Sequence, residues 1–192
     1  MSQSHPRREF LKFGLALPIV AAPILAAPVK GWCAALDAPV AADCGPRKIA
    51  VHNLHTGESL DEVFWEGGRY VDDALSAVNH VLRDFRTGEV HAIDPRLLDL
   101  LDTLAKKTEA GTPFQVVSGY RSPRTNARLH RESHGVAEHS LHMKGMAIDI
   151  RLAGVDLSRL HQAALSLGAG GVGYYPASDF VHVDVGPVRS WG

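Results

Sequence analysis

Two histidines and one aspartate are spaced so that they could share a metal ion: His142, Asp149 seven residues later, and His182 further along the chain. Imidazole nitrogens and carboxylate oxygens are ordinary zinc ligands. Two imidazoles and a carboxylate with an open fourth position describe a catalytic zinc site of the type hydrolases use. Structural zinc sites favour four protein ligands and often cysteine, and no cysteine lies near these residues. Zinc in such a site lowers the pKa of a bound water to about 7, which gives a nucleophile at neutral pH. The spacing is not the helical His-Glu-x-x-His arrangement, so strands and turns must assemble the trio. Taken singly, each residue is equally explained by a buried or surface His–Asp pair.

The elements that would position them are legible. Residues 146–152 alternate, with Ile148 and Ile150 on one face and Ala147, Asp149 and Arg151 on the other. Residues 180–185 alternate again, Val181, Val183 and Val185 against Phe180, His182 and Asp184. If the apolar faces share a core and the strands are neighbours, Asp149, His182 and Asp184 share the opposite face. Gly145 permits a sharp turn that brings His142 back over Asp149. Upstream, residues 48–55 and 60–65 read as a hairpin closed by Thr56-Gly57-Glu58-Ser59. Helices are expected over 71–85, from Asp94-Pro95 through Leu104, over 124–132, and over 156–167, the last capped by Asp156 or Ser158 and ended by Gly168. Strands are expected over 114–117 and 171–175. Helices early and hairpin-like strands late predict an α+β fold, a single domain with a central, mostly antiparallel sheet and flanking helices. The Gly168–Gly173 segment is no phosphate loop, because no Lys-Ser/Thr follows and no βαβ order supports it.

The 192 residues are ordinary for one globular domain, with 45% hydrophobic and 21% charged residues. A net charge of −1 gives no global basic field for nucleic acid. Two cysteines allow at most one disulfide. Residues 1–35 carry Arg7-Arg8 before Phe10-Leu11-Lys12, an apolar stretch, and small residues at Cys33-Ala34-Ala35. Charged start, apolar middle and small-residue end make an export signal, and the paired arginines resemble the twin-arginine type. Pro18, Pro23 and Pro28 make the apolar stretch a poor membrane span. Residues 36–47 read as a linker and 48–192 as the functional domain. Removing residues 1–35 leaves a net charge of −4 and Cys44 as the one remaining cysteine. The expected compartment is the periplasm, where wall polymers are available substrates.

Several segments carry a resemblance. Ser140-x-His142-x-x-Gly145-x-Ala147-x-Asp149 with Phe180-Val181-His182-Val183-Asp184 resembles the zinc D-Ala-D-Ala carboxypeptidase and murein endopeptidase superfamily. Val117-Ser118-Gly119-Tyr120-Arg121-Ser122 resembles its strand-turn. Asn53-Leu54-His55-Thr56-Gly57-Glu58-Ser59, Ile93-Asp94-Pro95 and Gly170-Gly171-Val172-Gly173-Tyr174-Tyr175-Pro176 narrow it to the YcbK-like, murein endopeptidase K branch. The resemblance spans nearly all of the chain after the export signal. It implies a hedgehog and D,D-peptidase type of fold and a Zn²⁺ ion on His142, Asp149 and His182. It also implies hydrolysis of peptidoglycan cross-links at meso-diaminopimelate; a monomer is expected.

The remaining roles follow from that resemblance and from strand geometry. Related peptidases often place a carboxylate general base three residues before the last histidine, and Asp179 stands there; a surface aspartate in the Ser178-Asp179 turn explains it equally. Asp184 shares a strand face with His182 and is expected to orient it. Arg121 resembles the family arginine that faces substrate, suited to an oxyanion or a peptide carboxylate. Ser118 and Ser140 fit turn capping as well as substrate contact. His134 and His139 precede the site in a polar loop and are expected to be solvent-exposed. Tyr174 and Tyr175 could stack on substrate or fill the sheet end. Two other readings stay open: a non-catalytic zinc or peptidoglycan-binding module, and a carboxypeptidase on the same fold.

Overall fold

The computed structural model describes residues 45–133 and 135–192. The expected export signal, the linker through residue 44, Cys44 and His134 lie outside the described residues.

The chain begins with the expected hairpin, β1 (Arg47–Asn53) antiparallel to β2 (Ser59–Glu66), so Arg47 belongs to a strand and not to the linker. A two-residue strand, β3 (Arg69–Tyr70), folds back on β2. Helix α1 (Asp72–Val81) stops short of the predicted Phe85. The reason is Asp84, whose carbonyl accepts from Gly88 N at 2.7 Å and whose carboxylate accepts from Arg86 N at 2.9 Å, closing a turn that competes with helix. Helix α2 (Pro95–Thr108) starts as the sequence indicates: the Asp94 carboxylate accepts from Arg96 N and Pro95 takes the first helical position. Strand β4 (Phe114–Ser118) leads to α3 (Pro123–Glu132), capped by Ser122. A 3-10 turn (Leu141–Lys144) precedes β5 (Ala147–Leu152). Helix α4 (Leu157–Leu167) follows Asp156, whose side chain makes no capping bond, and ends at Gly168. Strands β6 (Gly171–Tyr175), β7 (Phe180–Asp184) and β8 (Arg189–Trp191) complete the chain, and β3 and β8 are absent from the sequence-based expectation.

The strands form one sheet in the order β3-β2-β1-β4-β5-β7-β6-β8. Five pairings are antiparallel; β1–β4 and β6–β8 are parallel. The expected α+β fold with a mostly antiparallel sheet is borne out. Ile148, Ile150, Val181 and Val183 join Leu97, Leu98, Leu101 and Leu104 of α2 and Leu160 of α4 in one core. Each such side chain contributes about 1.5–3 kcal/mol of burial. That burial fixes the register of β5 against β7, with Ile148 opposite Val183 and Ile150 opposite Val181. The alternate residues are thereby committed to the other face. Among the described residues, no helix is long and apolar enough to cross a membrane.

Candidate metal centre

The face opposite the core carries the chemistry. Asp149 of β5 stands directly across from His182 of β7, and Ala147 from Asp184. His142 comes from the 3-10 turn, which Ser140 caps by accepting from His142 N. Gly145 ends that turn in the left-handed region at φ 65°. A Cβ there would run into the Ala92 carbonyl, so only glycine lets the turn fold against the segment before α2. Asp94 N donates to the Gly145 carbonyl at 2.9 Å and ties the two together.

Three atoms converge. His142 Nε2 lies 3.2 Å from Asp149 Oδ1 and 3.2 Å from His182 Nδ1, and His182 Nδ1 lies 2.9 Å from Asp149 Oδ1. The outer nitrogens settle what these inner atoms are. His142 Nδ1 donates to the Gly119 carbonyl at 2.7 Å, which can only accept, so Nε2 of the neutral ring is bare. His182 Nε2 donates to Asp184 Oδ2 at 3.0 Å, so in the neutral ring Nδ1 is the bare atom. With both rings neutral, three lone-pair atoms face one another in a buried site, an arrangement relieved by a proton on His182 Nδ1 or by a cation in its place. Ligands bound to zinc at about 2.0–2.2 Å in tetrahedral geometry stand about 3.3–3.6 Å apart, a few tenths of an ångström wider than the observed triangle of 2.9–3.2 Å. The donor set and its spacing fit one metal ion.

The supports differ on the two sides. Gly119 belongs to the turn after β4; there Arg121 N donates to the His142 carbonyl, and Tyr120 Oη donates to Glu89 at 2.7 Å. Burial, then that carboxylate, push the Tyr120 phenol up to about 12. The turn is held below by buried Asp84, which accepts from Ser122 N at 2.9 Å and Ser122 Oγ at 2.6 Å. Burial pushes the Asp84 carboxyl up, but these donors outweigh it and bring it down to about 2. On the other side, fully buried Asp184 accepts from Gly171 N, Gly186 N and both Arg189 guanidinium nitrogens, at 2.7–3.1 Å. Burial pushes Asp184 up, yet His182, Arg189 and the two amides hold it well below the usual carboxylate range. Asp149 is likewise pushed up by burial and held well below that range by His142 and His182. Burial pulls the His182 imidazole down, and its bonds to Asp149 and Asp184 more than restore it.

The glycine-rich β6 makes the second support possible. Strand β8 runs parallel to β6 with Gly171 beside Arg189 and Gly173 beside Trp191. A Cβ on Gly171 would collide with Asp184 and the Arg189 guanidinium; one on Gly173 would lie 2.6–2.7 Å from the Trp191 indole. Bare backbone at these positions lets both β8 side chains cross β6 and reach β7. The Trp191 ring comes to 5.2 Å from that of His182.

The cluster lies at the floor of an open cavity of ≈ 340 Å³. Arg121, His139, Tyr175, Phe180, Arg189 and Trp191 are among its walls. Arg121 is nine-tenths buried, 3.7 Å from Asp149 and within 3.3–3.4 Å of Ser118 Oγ and Asn126 Oδ1; its buried Nε has no partner among the described residues. His139 lines this cavity as well as facing solvent. Asp179 is absent from the residues lining the cavity, although its partner Arg151 stands two residues along β5 from Asp149. It sits in the left-handed region after the Pro176–Ser178 turn, largely exposed, and pairs with Arg151 at 2.6 Å outside the cavity lining. The expectation of a base at Asp179 meets a carboxylate already engaged elsewhere. Two contributors escaped the sequence reading, Arg189 and Trp191, because a three-residue strand leaves no periodic signal; the glycine spacing of β6 was the sign of what crosses it.

An α+β sheet that buries one face and presents two imidazoles and a carboxylate in an open cleft is the architecture of a hydrolase with a single metal ion. Comparison with known proteins makes this specific. The family model described as Peptidoglycan L,D-endopeptidase MepK matches residues 41–191, and the chain belongs to that family. Peptidoglycan L,D-endopeptidase MepK of Escherichia coli is 47% identical over 146 residues, covering 76% of this chain and 80% of its own length. The protein of that name from Shigella flexneri matches to the same extent. A probable peptidoglycan L,D-endopeptidase MepK of Haemophilus influenzae is 44% identical over 149 residues, 76% of this chain and 79% of its own. The resemblance read from the motifs is borne out.

Proposed function

We propose that the protein is a zinc-dependent endopeptidase that hydrolyses peptide cross-links of peptidoglycan at meso-diaminopimelate during cell-wall remodelling, acting as a monomer in the periplasm after twin-arginine export. The carrying observation is the convergence of bare His142 Nε2, His182 Nδ1 and the Asp149 carboxylate on the floor of an open cleft. The names of the relatives support the substrate, and Arg7-Arg8 with the apolar stretch behind it supports export.

His142, Asp149 and His182 would hold the zinc ion, which would supply Lewis acidity toward the scissile carbonyl and toward water. Asp184 keeps His182 in the tautomer that offers Nδ1, and Gly119 does the same for His142 Nε2. Arg121, in the cavity wall, presents a permanent positive charge to the oxygen on which negative charge develops. Desolvation weakens the hold of Arg121 on its proton, while Asp149 and Asp84 counter that. With Asp179 engaged by Arg151, His139 is the imidazole in the cavity wall outside the ligand set, and we assign proton traffic with the leaving amine to it.

The test is digestion of purified peptidoglycan by the zinc-loaded protein, with and without chelator, followed by mass spectrometry. Chelator-sensitive loss of cross-linked dimers with appearance of monomers is expected, and fragment masses identify the bond. Unchanged dimers in the presence of folded, zinc-loaded protein overturn the reading.

A further inference from the structure

Tyr175 has a feature the other well-anchored tyrosines lack. Tyr70 and Tyr120 each donate their phenol proton to a carboxylate, of Asp99 and Glu89 respectively. Tyr175 Oη instead accepts a hydrogen bond, from Trp191 Nε1 at 2.8 Å, and donates to no acceptor among the described residues. A phenol oxygen that accepts still has its own proton to give. The ring cannot easily turn that proton away. It stacks on Phe180, its partner across the β6–β7 ladder, with centroids 4.5 Å apart and planes at 21°. The indole that orients the oxygen is itself seated over Gly173, where any side chain would displace it.

The location gives the unspent proton a use. Tyr175 lies on the same face of β6 as Gly173, which pairs with His182, so the phenol stands one row along the sheet from the ligands. It lines the same cavity as Arg121, Asp149 and His182. A fixed O–H donor beside a buried guanidinium, facing a cleft, is a recognition pair for oxygen.

We propose that Tyr175 is a substrate-contacting residue: its hydroxyl, aimed by the Trp191 indole N–H, donates a hydrogen bond to a carbonyl or carboxylate oxygen of the bound peptide next to the Arg121 subsite. Trp191 is the positioning residue that acts through it. The assignment rests on the peptidoglycan-peptide reading above and adds to it a residue that selects and holds the substrate.

Tyr175→Phe keeps the ring and its stacking and removes the O–H together with the acceptor of Trp191 Nε1. Zinc content should match the wild type and the melting temperature should fall only slightly, while kcat/KM on purified cross-linked muropeptide dimers falls about 10–100-fold. A rise in KM alone places the bond in the bound substrate; a fall in kcat places it in the transition state. Trp191→Phe with zinc content intact should give a smaller loss. The double variant should be no worse than Tyr175→Phe, because the indole acts through the phenol. Unchanged kinetics in Tyr175→Phe overturn the contact, and additive losses overturn the positioning role of Trp191. Calorimetric titration of the same dimer into chelator-treated wild type and Tyr175→Phe separates this inference from the functional reading. Weaker binding by the variant supports the contact even if the wild type hydrolyses nothing, and equal binding without hydrolysis overturns both.

Discussion

The two histidines of the cluster do the same job and are anchored by different chemistry. His142 leans on a neutral backbone carbonyl, that of Gly119, supplied by a turn bonded at Tyr120, Arg121 and Ser122. His182 leans on a buried carboxylate whose charge is balanced by Arg189 from the adjoining β8. The first anchor is part of the fold, and no side-chain replacement deletes it. The second is an ionic chain, Arg189 to Asp184 to His182, that single substitutions can dismantle while the core stays intact. Orientation of a metal ligand can thus be built into backbone geometry or delegated to charge, and the delegated version is the one open to tuning.

The largest expected effects treat the two sides alike. His142→Ala and His182→Ala should each abolish stoichiometric zinc by metal analysis and reduce peptidoglycan hydrolysis by at least about 10³-fold. Retained activity in a zinc-free variant would break the assignment on either side. Next come changes that separate the anchors. Asp184→Asn should lower zinc affinity in chelator competition by about 10–100-fold, with Arg189→Ala toward the smaller end and Arg189→Lys partly restoring it. If Arg189→Ala binds zinc like the wild type, the ionic chain does not position His182.

The backbone side is reached only through stability. Asp84→Ala should cost about 2–4 kcal/mol in urea unfolding, because it leaves Ser122 N–H and Oγ–H buried without their acceptor. Asp84 is held at about 2, below its ordinary value of 3.8. Its stabilisation is therefore present in full above the ordinary carboxylate range and fades as pH falls toward about 2. Wild type should lose more stability than Asp84→Ala between pH 5 and about 2, and parallel curves would contradict this role. The smallest effect is reserved for Asp179→Ala, which should leave turnover within about threefold. A loss of 10²–10⁴-fold would instead restore it as the general base.

The ligands were readable because β5 and β7 alternate cleanly, so Ile148 and Val183 on one face predict Asp149 and His182 on the other. The α2 start was readable from Asp94-Pro95 for similarly local reasons. What escaped depends on long-range pairing. The parallel partners β1–β4 and β6–β8 leave no mark in sequence spacing, and β3 and β8 are too short for any period. The overlong α1 shows the converse failure: apolar residues at helical spacing continue to Leu82, but the Asp84 side chain gives the backbone a better alternative. For Asp179 the two readings of the sequence, base or turn aspartate, are not separated by spacing alone; it stands in a turn and pairs with Arg151.

The alternation of β7 also ties quality of folding to metal uptake. The five-residue strand that holds Val181 and Val183 in the core turns His182 to the cleft and sets Asp184 buried behind it. A slip of one residue, or a single insertion or deletion in this strand, exchanges the two sets at once. Partially correct versions are thereby excluded: a chain with the wrong register has neither its core nor its ligands, and a chain that takes up the ion has its strand in place. With the proposed zinc bound at this site, its occupancy would serve as a checksum on the sheet, and metal content would count the correctly folded fraction of a preparation.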